Sequence, residues 1–420
     1  VGRQSVAVPD GFKVHQRLEK LHIRPRLKNL ESGTNIDWAT AESLALATLL
    51  KEGYHVRISG QDVGRGTFSQ RHVMMVCQET ENVYIPLNDL ASADAAAAAT
   101  MPGETQAGRL EVANSHLSEL AVLGFEYGAS WANPNLLPIW ESQFGDFNNS
   151  AQVIIDTYVV SGETKWLRQS GLVMLLPHGY DGSGPEHSSC RIERFLQLCD
   201  DPYYVTDPNV VFNTNIHVAY PTTPAQIFHL LRRQMLRPYR KPLIVAGPKT
   251  LLRLSAAVST LDDMKPGTSF EPVLADPQIT DPSKVRRVVF LSGKLYYDLA
   301  KARSNLKGTA TSAEEARESV ALIRIEELSP FPKQEILNVL GQFEHCEDFV
   351  WCQEETQNAG AFTHMAPRIQ QLLDLLQFPG ARRVLRYIGR GPLAAPVTGI
   401  GKQYKQEQQG IINKVFEGFN

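Results

Sequence analysis

Residues 171–177 (GLVMLLP) are the sequence feature that most limits the possible folds. The run has no polar residue, whereas a strand with one solvated face alternates apolar and polar residues. A continuous apolar run of this length is typical of a central strand in a parallel sheet that helices cover on both faces. Strand-like segments at residues 55–60, 216–221 and 242–248 alternate with helical patterns, which predicts a doubly wound α/β sheet. Two of its helices are predicted to start at Asp37 and at Thr223, which Pro224 follows.

A second group of strand-like segments, beginning at residue 287, indicates a second α/β unit. We predict an arm or linker helix over residues 1–32, an α/β domain over 33–250, a linker over 251–284 and another α/β domain over 285–420. Residues 90–107 are rich in alanine without an apolar stripe, and we expect a flexible surface insertion there.

Composition excludes several classes of function. The net charge of -3 gives no field that would attract nucleic acid or an anionic membrane. No apolar run reaches membrane-spanning length, and the start of the sequence does not resemble a signal peptide. The five cysteines are scattered without metal-site spacing, which predicts reduced thiols. Because the sequence opens with Val1 rather than methionine, we expect a fragment or a processed product.

The loops that follow predicted strands are the candidate functional segments, because ligands of open α/β sheets bind beyond the carboxyl ends of the strands. Glu119 lies in the first turn of an otherwise apolar helix, for which Ser115 is the predicted N-cap. The carboxylate could face a cofactor nitrogen, or it could merely favour the helix dipole. Phe144 and Phe147 follow in an aromatic loop that could hold a flat heteroaromatic cofactor, although such residues are more often core.

Histidines and charged residues form the other candidates, and each has alternatives. His178 and His187 bracket a glycine-containing loop that could present imidazoles to a substrate or could be a solvated turn. A zinc site is a further alternative, with the ligands His178, Asp181, His187 and Cys190. Arg71 and His72 could bind a carboxylate. Glu354 and Glu355 end a predicted strand and are expected at a solvated edge or against a neighbouring chain.

Seven stretches of the sequence resemble one family across almost the whole chain. They are residues 36–42 (IDWATAE), 59–72 (SGQDVGRGTFSQRH), 117–128 (LSELAVLGFEYG), 140–147 (WESQFGDF), 175–189 (LLPHGYDGSGPEHSS), 228–234 (FHLLRRQ) and 351–355 (WCQEE). The chain is similar to the carboxyl-terminal half of the first, decarboxylating component of the 2-oxoglutarate and 2-oxoadipate dehydrogenase complexes. Details such as residues 178–182 (HGYDG) and 221–226 (PTTPAQ) favour the 2-oxoadipate branch.

The resemblance implies a thiamine diphosphate enzyme whose domains are doubly wound parallel sheets of transketolase type. This chain is similar to the pyrimidine-binding domain and the carboxyl-terminal domain. It contains no Gly-Asp-Gly followed by an asparagine, the family's motif for magnesium and the diphosphate. We therefore expect it to hold the pyrimidine half of the cofactor, to bind no metal by itself, and to be inactive alone. Mg²⁺ is expected only with the diphosphate-binding domain.

The resemblance also assigns roles to individual residues. Glu119 is expected to hydrogen-bond the aminopyrimidine ring, with Phe144 and Phe147 as aromatic walls and with Leu117 and Gln143 as further cofactor contacts. His187 and His72 are expected to be catalytic. Arg71, His72, His178 and His187 are the expected substrate-binding residues.

The resemblance further implies partners and a location. They are a second copy of the chain, a dihydrolipoyl acyltransferase whose lipoyl group accepts the acyl product, and dihydrolipoamide dehydrogenase. The location would be the mitochondrial matrix in a eukaryote and the cytoplasm otherwise. Alternative functions are 2-oxoglutarate decarboxylation by the same mechanism, a non-catalytic dimerisation or docking module, and a transketolase-type activity on sugar phosphates.

Overall fold

The computed structural model describes residues 1–90, 107–207, 213–306, 313–378, 380 and 382–419. Within these residues the chain forms two α/β units, one on a seven-stranded sheet and one on a five-stranded sheet, together with a small two-stranded sheet. The predicted fold class is confirmed. Nearly all of the alanine-rich segment predicted at residues 90–107 lies outside the described residues.

The first unit begins its main helices where the sequence predicts them, because Asp37 accepts a hydrogen bond from the Thr40 amide (2.8 Å) and Thr223 caps a helix that opens with Pro224. Its helices are α1 (Gln16–Leu18), α2 (Arg24–Ser32), α3 (Trp38–Lys51), α4 (Glu119–Ala129), α5 (Gln152–Ile154), α6 (Gly162–Trp166), α7 (Ile192–Leu198) and α8 (Pro224–Leu236). Its strands are β1 (His55–Gly60), β2 (Met75–Val76), β3 (Val83–Tyr84), β4 (Leu110–Asn114), β5 (Leu136–Glu141), β6 (Val173–Leu176), β7 (His217–Ala219) and β8 (Leu243–Ala246).

The second unit is shorter and has the same alternating pattern. Its strands are β9 (Val273–Leu274), β10 (Arg287–Leu291), β11 (Val320–Ile325), β12 (Glu327–Ser329), β13 (Asp348–Thr356) and β14 (Leu385–Arg390). Its helices are α9 (Leu295–Ser304), α10 (Ala313–Glu318), α11 (Lys333–Leu340), α12 (Phe362–Leu376) and α13 (Gly401–Val415). Of the helices in the described residues, none has both the length and the apolar character needed to cross a membrane.

The apolar run at residues 171–177 forms β6, which lies between β5 and β8 in the first sheet. Met174 and Leu176 enter one hydrophobic cluster, whereas Val173 and Leu175 enter another on the opposite face. The continuous apolar pattern therefore arises because both faces of this strand are covered by protein.

The order of the first sheet is β12-β7-β8-β6-β5-β1-β4, and every pairing is parallel except that of β12. After β1 the chain crosses to the edge strand β4, and it then returns to place β5 and β6 on the other side of β1. The direction of the crossovers therefore reverses between β1 and β5. Such a switch point opens a crevice beyond the carboxyl ends of the two strands.

The two units are joined by more than a chain connection. Strand β12 of the second unit extends the first sheet, antiparallel to β7. There Glu327 accepts hydrogen bonds from Arg233 (2.9 Å) and His217 (3.0 Å). Burial alone would raise the pKa of Glu327, but Arg233 and His217 lower it to about 2. The predicted linker at residues 251–284 contributes β9 to the second sheet, antiparallel to β11.

Candidate functional site

The switch point between β1 and β5 carries a pocket formed by the ends of three strands. Gly60 ends β1 with a φ of +146°, and a side chain there would collide with the backbone of Glu141 at the end of β5. Glycine therefore allows the two strand ends to approach. The pocket lining comprises Gly60, Gln61, Ser115, His116, Ser118, Glu119, Val122, Trp140, Glu141, Ser142 and Gln143.

Glu119 is the first residue of α4, and its carboxylate is half-buried at this pocket. The predicted N-cap was wrong: Ser118, not Ser115, accepts the hydrogen bond from the Ala121 amide (3.3 Å). Glu119 therefore lies directly at the positive end of the helix dipole. Its Oε2 atom lies 2.9 Å from Ser150 Oγ, which is also 3.1 Å from the carbonyl oxygen of Phe147. The single proton of this hydroxyl can serve either acceptor.

Aromatic side chains from three loops meet beside Glu119. The ring centroid of Phe144 lies 5.7 Å from that of Phe147, 4.5 Å from that of His187 and 5.6 Å from that of Phe68. His187 also contacts Phe147, at 5.6 Å. Phe144, Phe147 and His187 are all half-buried, so their edges are not enclosed by the core. The structure thus brings together residues that are up to 119 positions apart in the sequence, from Phe68 to His187.

Asp146 fastens the loop that carries the two phenylalanines, a role that sequence reasoning missed. Its Oδ2 atom accepts hydrogen bonds from the backbone amides of Ser188 and Ser189, each at 3.1 Å. Asn148 donates to the carbonyl oxygen of Cys190 at 2.8 Å. Burial raises the pKa of Asp146. The only sequence signal was a carboxylate inside an aromatic loop, which does not reveal its partner.

His178 lies inside the protein, which does not support its predicted role in binding substrate. Its side chain is fully buried, and the backbone amide of Cys190 donates to Nδ1 at 3.0 Å. The ring therefore carries its proton on Nε2 and donates it to Glu355 Oε1 at 2.8 Å. Because both ring nitrogens have protein partners, the zinc alternative that used His178 fails as well. Glu355 is buried within the chain, contrary to the expected solvated edge or neighbouring chain.

Arg71 is likewise internal, which does not support its predicted role in binding substrate. Its side chain is 1% exposed and lies between Glu42 and Glu141. The guanidinium donates to Glu42 at 2.5 and 3.1 Å and to Glu141 Oε1 at 2.8 Å. Its remaining donor capacity includes a hydrogen bond to the Val63 carbonyl at 3.1 Å. The guanidinium thus holds Glu141, which lines the switch-point pocket, and it has no free donor for a ligand.

His72 lies in a separate cleft on the same loop. The cleft is lined in part by His22, Arg65 and Arg253, and the His72 ring packs edge-on against His22 with centroids 4.7 Å apart. Burial and the nearby Arg26 lower the pKa of His72. Its Nε2 donates to the Ser69 carbonyl at 3.1 Å. Of the remaining predicted contacts, Gln143 lines the Glu119 pocket, and Leu117 is 76% exposed beside it.

A doubly wound sheet with an acid and an aromatic cluster at its switch point defines a class of ligand-binding α/β proteins. Residues 34–255 match the model of the transketolase pyrimidine-binding domain, and residues 258–416 match that of the 2-oxoglutarate dehydrogenase carboxyl-terminal domain. The chain belongs to the transketolase pyrimidine-binding family, coupled to that carboxyl-terminal domain.

Comparison with individual proteins gives the degree of sequence identity to members of this family. The chain is 53% identical over 416 residues to the 2-oxoadipate dehydrogenase complex component E1 of Danio rerio and 51% identical to that of Homo sapiens. It is 44% identical over 414 residues to the 2-oxoglutarate dehydrogenase E1 component of Rickettsia felis. Each match covers 99% of this chain but only 42%, 42% and 38% of the relative, respectively. The chain therefore spans less than half the length of these relatives.

Proposed function

We propose that this chain supplies the pyrimidine half of a thiamine diphosphate site in a 2-oxo acid dehydrogenase. The substrate would be a 2-oxo dicarboxylic acid, with 2-oxoadipate preferred to 2-oxoglutarate, and the acyl product would pass to a lipoyl group of a partner acyltransferase. The observation that carries the proposal is the position of Glu119. Its carboxylate stands at the switch-point pocket, at a helix amino terminus and beside the Phe144–Phe147–His187 cluster.

The residues at and beside this pocket would suit an aminopyrimidine ring. Among the described residues, Glu119 Oε1 has no hydrogen-bond partner, so it can share a proton with a ring nitrogen. Phe144 and Phe147 offer half-buried rings against which a flat heteroaromatic ring packs well. When bound, thiamine diphosphate supplies the nucleophilic carbon and the electron sink that decarboxylation of a 2-oxo acid requires. Glu119 would hold the proton that sets the tautomer of the ring.

The two histidines have different proposed roles. His187 packs against Phe144 beside the pocket and would move a proton to or from the reacting groups. His72 shares its cleft with Arg65 and Arg253, whose positive charges would attract a dicarboxylate. Because its pKa is lowered, His72 is neutral at pH 7 and would donate or accept a hydrogen bond without adding charge.

The decisive experiment uses the intact protein and measures thiamine-dependent release of carbon dioxide from 2-oxoadipate and 2-oxoglutarate. We expect Glu119→Gln to lower kcat by at least about 100-fold, the range for a lost proton-transfer group. Glu111→Gln is the matched control, since Glu111 is a largely exposed carboxylate on the neighbouring strand β4. Unchanged turnover by Glu119→Gln, or no thiamine-dependent turnover by the wild type, would contradict the proposal.

The preference for 2-oxoadipate over 2-oxoglutarate is tested by a separate measurement. They differ by one methylene group, which is worth about 1–3 kcal/mol in a binding pocket. We therefore expect kcat/KM for 2-oxoadipate to exceed that for 2-oxoglutarate by roughly 10–200-fold. A ratio in the opposite direction would assign the chain to 2-oxoglutarate without affecting the role of Glu119.

We further propose that a second copy of the chain covers the exposed side of α4. Leu117, just before α4, and Leu120 and Phe125 within it are 76%, 43% and 62% exposed, and exposed apolar surface often marks a protein–protein interface. Leu120→Asp should convert a dimer to a monomer in light scattering, whereas Leu375→Asp, at an exposed apolar residue of α12, should not. A wild-type monomer would contradict the proposal and would leave the docking-module alternative without support. The lipoyl partner enzymes and a mitochondrial location remain predictions of the resemblance.

A further inference from the structure

Cys199, Asp201 and His364 form a cluster of potential metal ligands away from the switch-point pocket. One atom of each side chain lies within 4.8 Å of the others. Cys199 and Asp201 follow α7 of the first unit, whereas His364 lies in the first turn of α12 in the second unit. The cluster therefore lies where the two units meet, and the histidine is 163 positions from the aspartate.

His364 is the observation that points to a ligand. Its side chain is 7% exposed, and its Nε2 atom has no hydrogen-bond partner within the described part of the chain. Asp201 Oδ2 lies 3.6 Å from this nitrogen, beyond hydrogen-bond distance. A buried imidazole nitrogen without a partner is energetically costly, and a metal ion between it and the carboxylate would remove that cost.

The spacing of the cluster suits a small tetrahedral ion. Zinc bonds of about 2.0–2.3 Å place neighbouring ligand atoms about 3.5 Å apart. The distance from His364 Nε2 to Asp201 Oδ2 is 3.6 Å, which already matches that separation. The Cys199 thiol is within 4.8 Å of both and needs a side-chain adjustment of about 1 Å to meet the same condition.

The surroundings hold the two units' ligands in place before any ion binds. Asp201 Oδ2 accepts a hydrogen bond from the Phe331 amide at 2.9 Å. Two reciprocal hydrogen bonds hold the turn between Cys199 and Asp201. The Asn215 amide donates to the Asp200 side chain at 2.8 Å, and the Asp200 amide donates to the Asn215 side chain at 3.0 Å. Arg368 donates to the backbone oxygens of His364 (2.7 Å) and Asp201 (3.1 Å). Its positive charge repels any cation in the cluster, and the negative charges of the Asp201 carboxylate and a Cys199 thiolate would offset that repulsion.

We propose that Cys199, Asp201 and His364 bind one zinc ion, with solvent as the fourth ligand. This ion would link the two α/β units. In binding, the Cys199 S–H bond breaks, an S–Zn bond forms, and the proton passes to the buffer. The hydrogen bond from Cys199 Sγ to the Leu196 carbonyl (2.9 Å) is given up in the same step. Asp201 remains a carboxylate and His364 a neutral imidazole, so one proton leaves for each zinc bound.

The test measures zinc binding to the intact protein after treatment with a chelator. We expect the wild type to bind one zinc that is absent from Cys199→Ser and from His364→Gln, or bound at least about 100-fold more weakly. Cobalt(II) in place of zinc should give a thiolate-to-cobalt absorption band in the wild type that Cys199→Ser lacks. Cys77→Ser is the matched control. Hydrogen bonds, the strongest of them with Thr80, lower the pKa of the Cys77 thiol to about 7, so this cysteine could compete for zinc.

Stability measurements separate binding from folding. Without zinc, the Tm of Cys199→Ser should differ from that of the wild type only by the small effect of replacing one sulfur atom with oxygen. With zinc, only the wild type and Cys77→Ser should show a Tm that rises with zinc concentration. The proposal is overturned if the chelated wild type binds no zinc at micromolar free metal. It is also overturned if Cys199→Ser and His364→Gln bind as the wild type does, or if Cys77→Ser loses the ion.

Discussion

The carboxyl ends of the strands are used differently in the two α/β units. In the first unit they carry Glu119, Phe144, Phe147 and His187, which are all half-buried and are held by single hydrogen bonds or ring contacts. In the second unit the end of β13 carries Gln353, Glu354 and Glu355, which are 3%, 4% and 6% exposed.

Those buried groups have fixed partners, since Glu354 accepts from Lys294 at 2.6 Å and Glu355 from His178 at 2.8 Å. The same architecture thus leaves one edge open for a ligand and closes the other with buried charges that dock onto the first unit. The difference predicts that removing a charged group costs more stability at the closed edge than at the open edge, where it mainly affects function.

The largest effect on stability is expected from Lys294→Met. Lys294 lies between Glu354 (2.6 Å), Asp298 (3.1 Å) and Asp181 (4.0 Å), so its removal leaves Glu354 buried without its cation. Burial alone would lower the pKa of Lys294, but Glu354 and Asp298 raise it. We expect a loss of about 3–5 kcal/mol in urea unfolding. Glu119→Gln should cost less than about 1 kcal/mol, because the side chain's one hydrogen-bond partner in the described residues is exposed Ser150. Equal losses would remove the contrast between the two edges.

Acid should release the contact between β12 and β7. Because the folded-state pKa of Glu327 is lowered to about 2, its contribution is present above the ordinary carboxyl pKa of 4.5 and is lost as the pH falls from there to about 2. The shift corresponds to roughly 3 kcal/mol. Glu327→Gln should therefore flatten the stability-against-pH curve between pH 4.5 and 2 relative to the wild type. A curve that keeps its wild-type slope in this variant would show that other carboxylates control the acid response.

Gly145→Ala should disturb the open edge by overpacking. An added Cβ would lie 2.6 Å from both the Pro177 carbonyl oxygen and Cys190 Cβ, where the Phe144–Phe147 loop docks. We expect a loss of about 1–3 kcal/mol and a raised KM for thiamine diphosphate. Gly128→Ala is the control, because nothing lies within 4 Å of that Cβ, and alanine should stabilise α4 by up to about 1 kcal/mol. An unchanged KM in Gly145→Ala would mean that the loop shifts without moving the site.

The smallest effect is expected at the start of α4. Ser118→Ala removes the side chain that accepts from the Ala121 amide and should cost about 1 kcal/mol in thermal unfolding. Ser115→Ala should cost almost nothing, since the Ser115 hydroxyl donates only to the carbonyl of the next residue, His116. If Ser115→Ala lost more stability than Ser118→Ala, Ser115 would be the N-cap, as the sequence predicted.

Features that depend on local pattern could be predicted from the sequence. The uninterrupted apolar run predicted the central strand β6, because a strand covered on both faces has no position for a polar side chain. Asp37 and Thr223 marked helix starts, since capping needs only a side-chain oxygen and an amide three residues on. Long matching stretches indicated the family, which the family models confirm over residues 34–255 and 258–416.

The sequence did not reveal which polar residues stay accessible at the switch point and which are buried between partners inside the protein. Arg71 and His178 stood beside glycine-rich loops in the sequence, yet Glu42, Glu141 and Glu355 bury them as internal ion pairs and hydrogen bonds. The approach of Cys199 and Asp201 to His364 has no trace in their spacing. The physical reason is that the cost of burying a polar group is settled by partners distant in the sequence, and the fold alone brings those partners together.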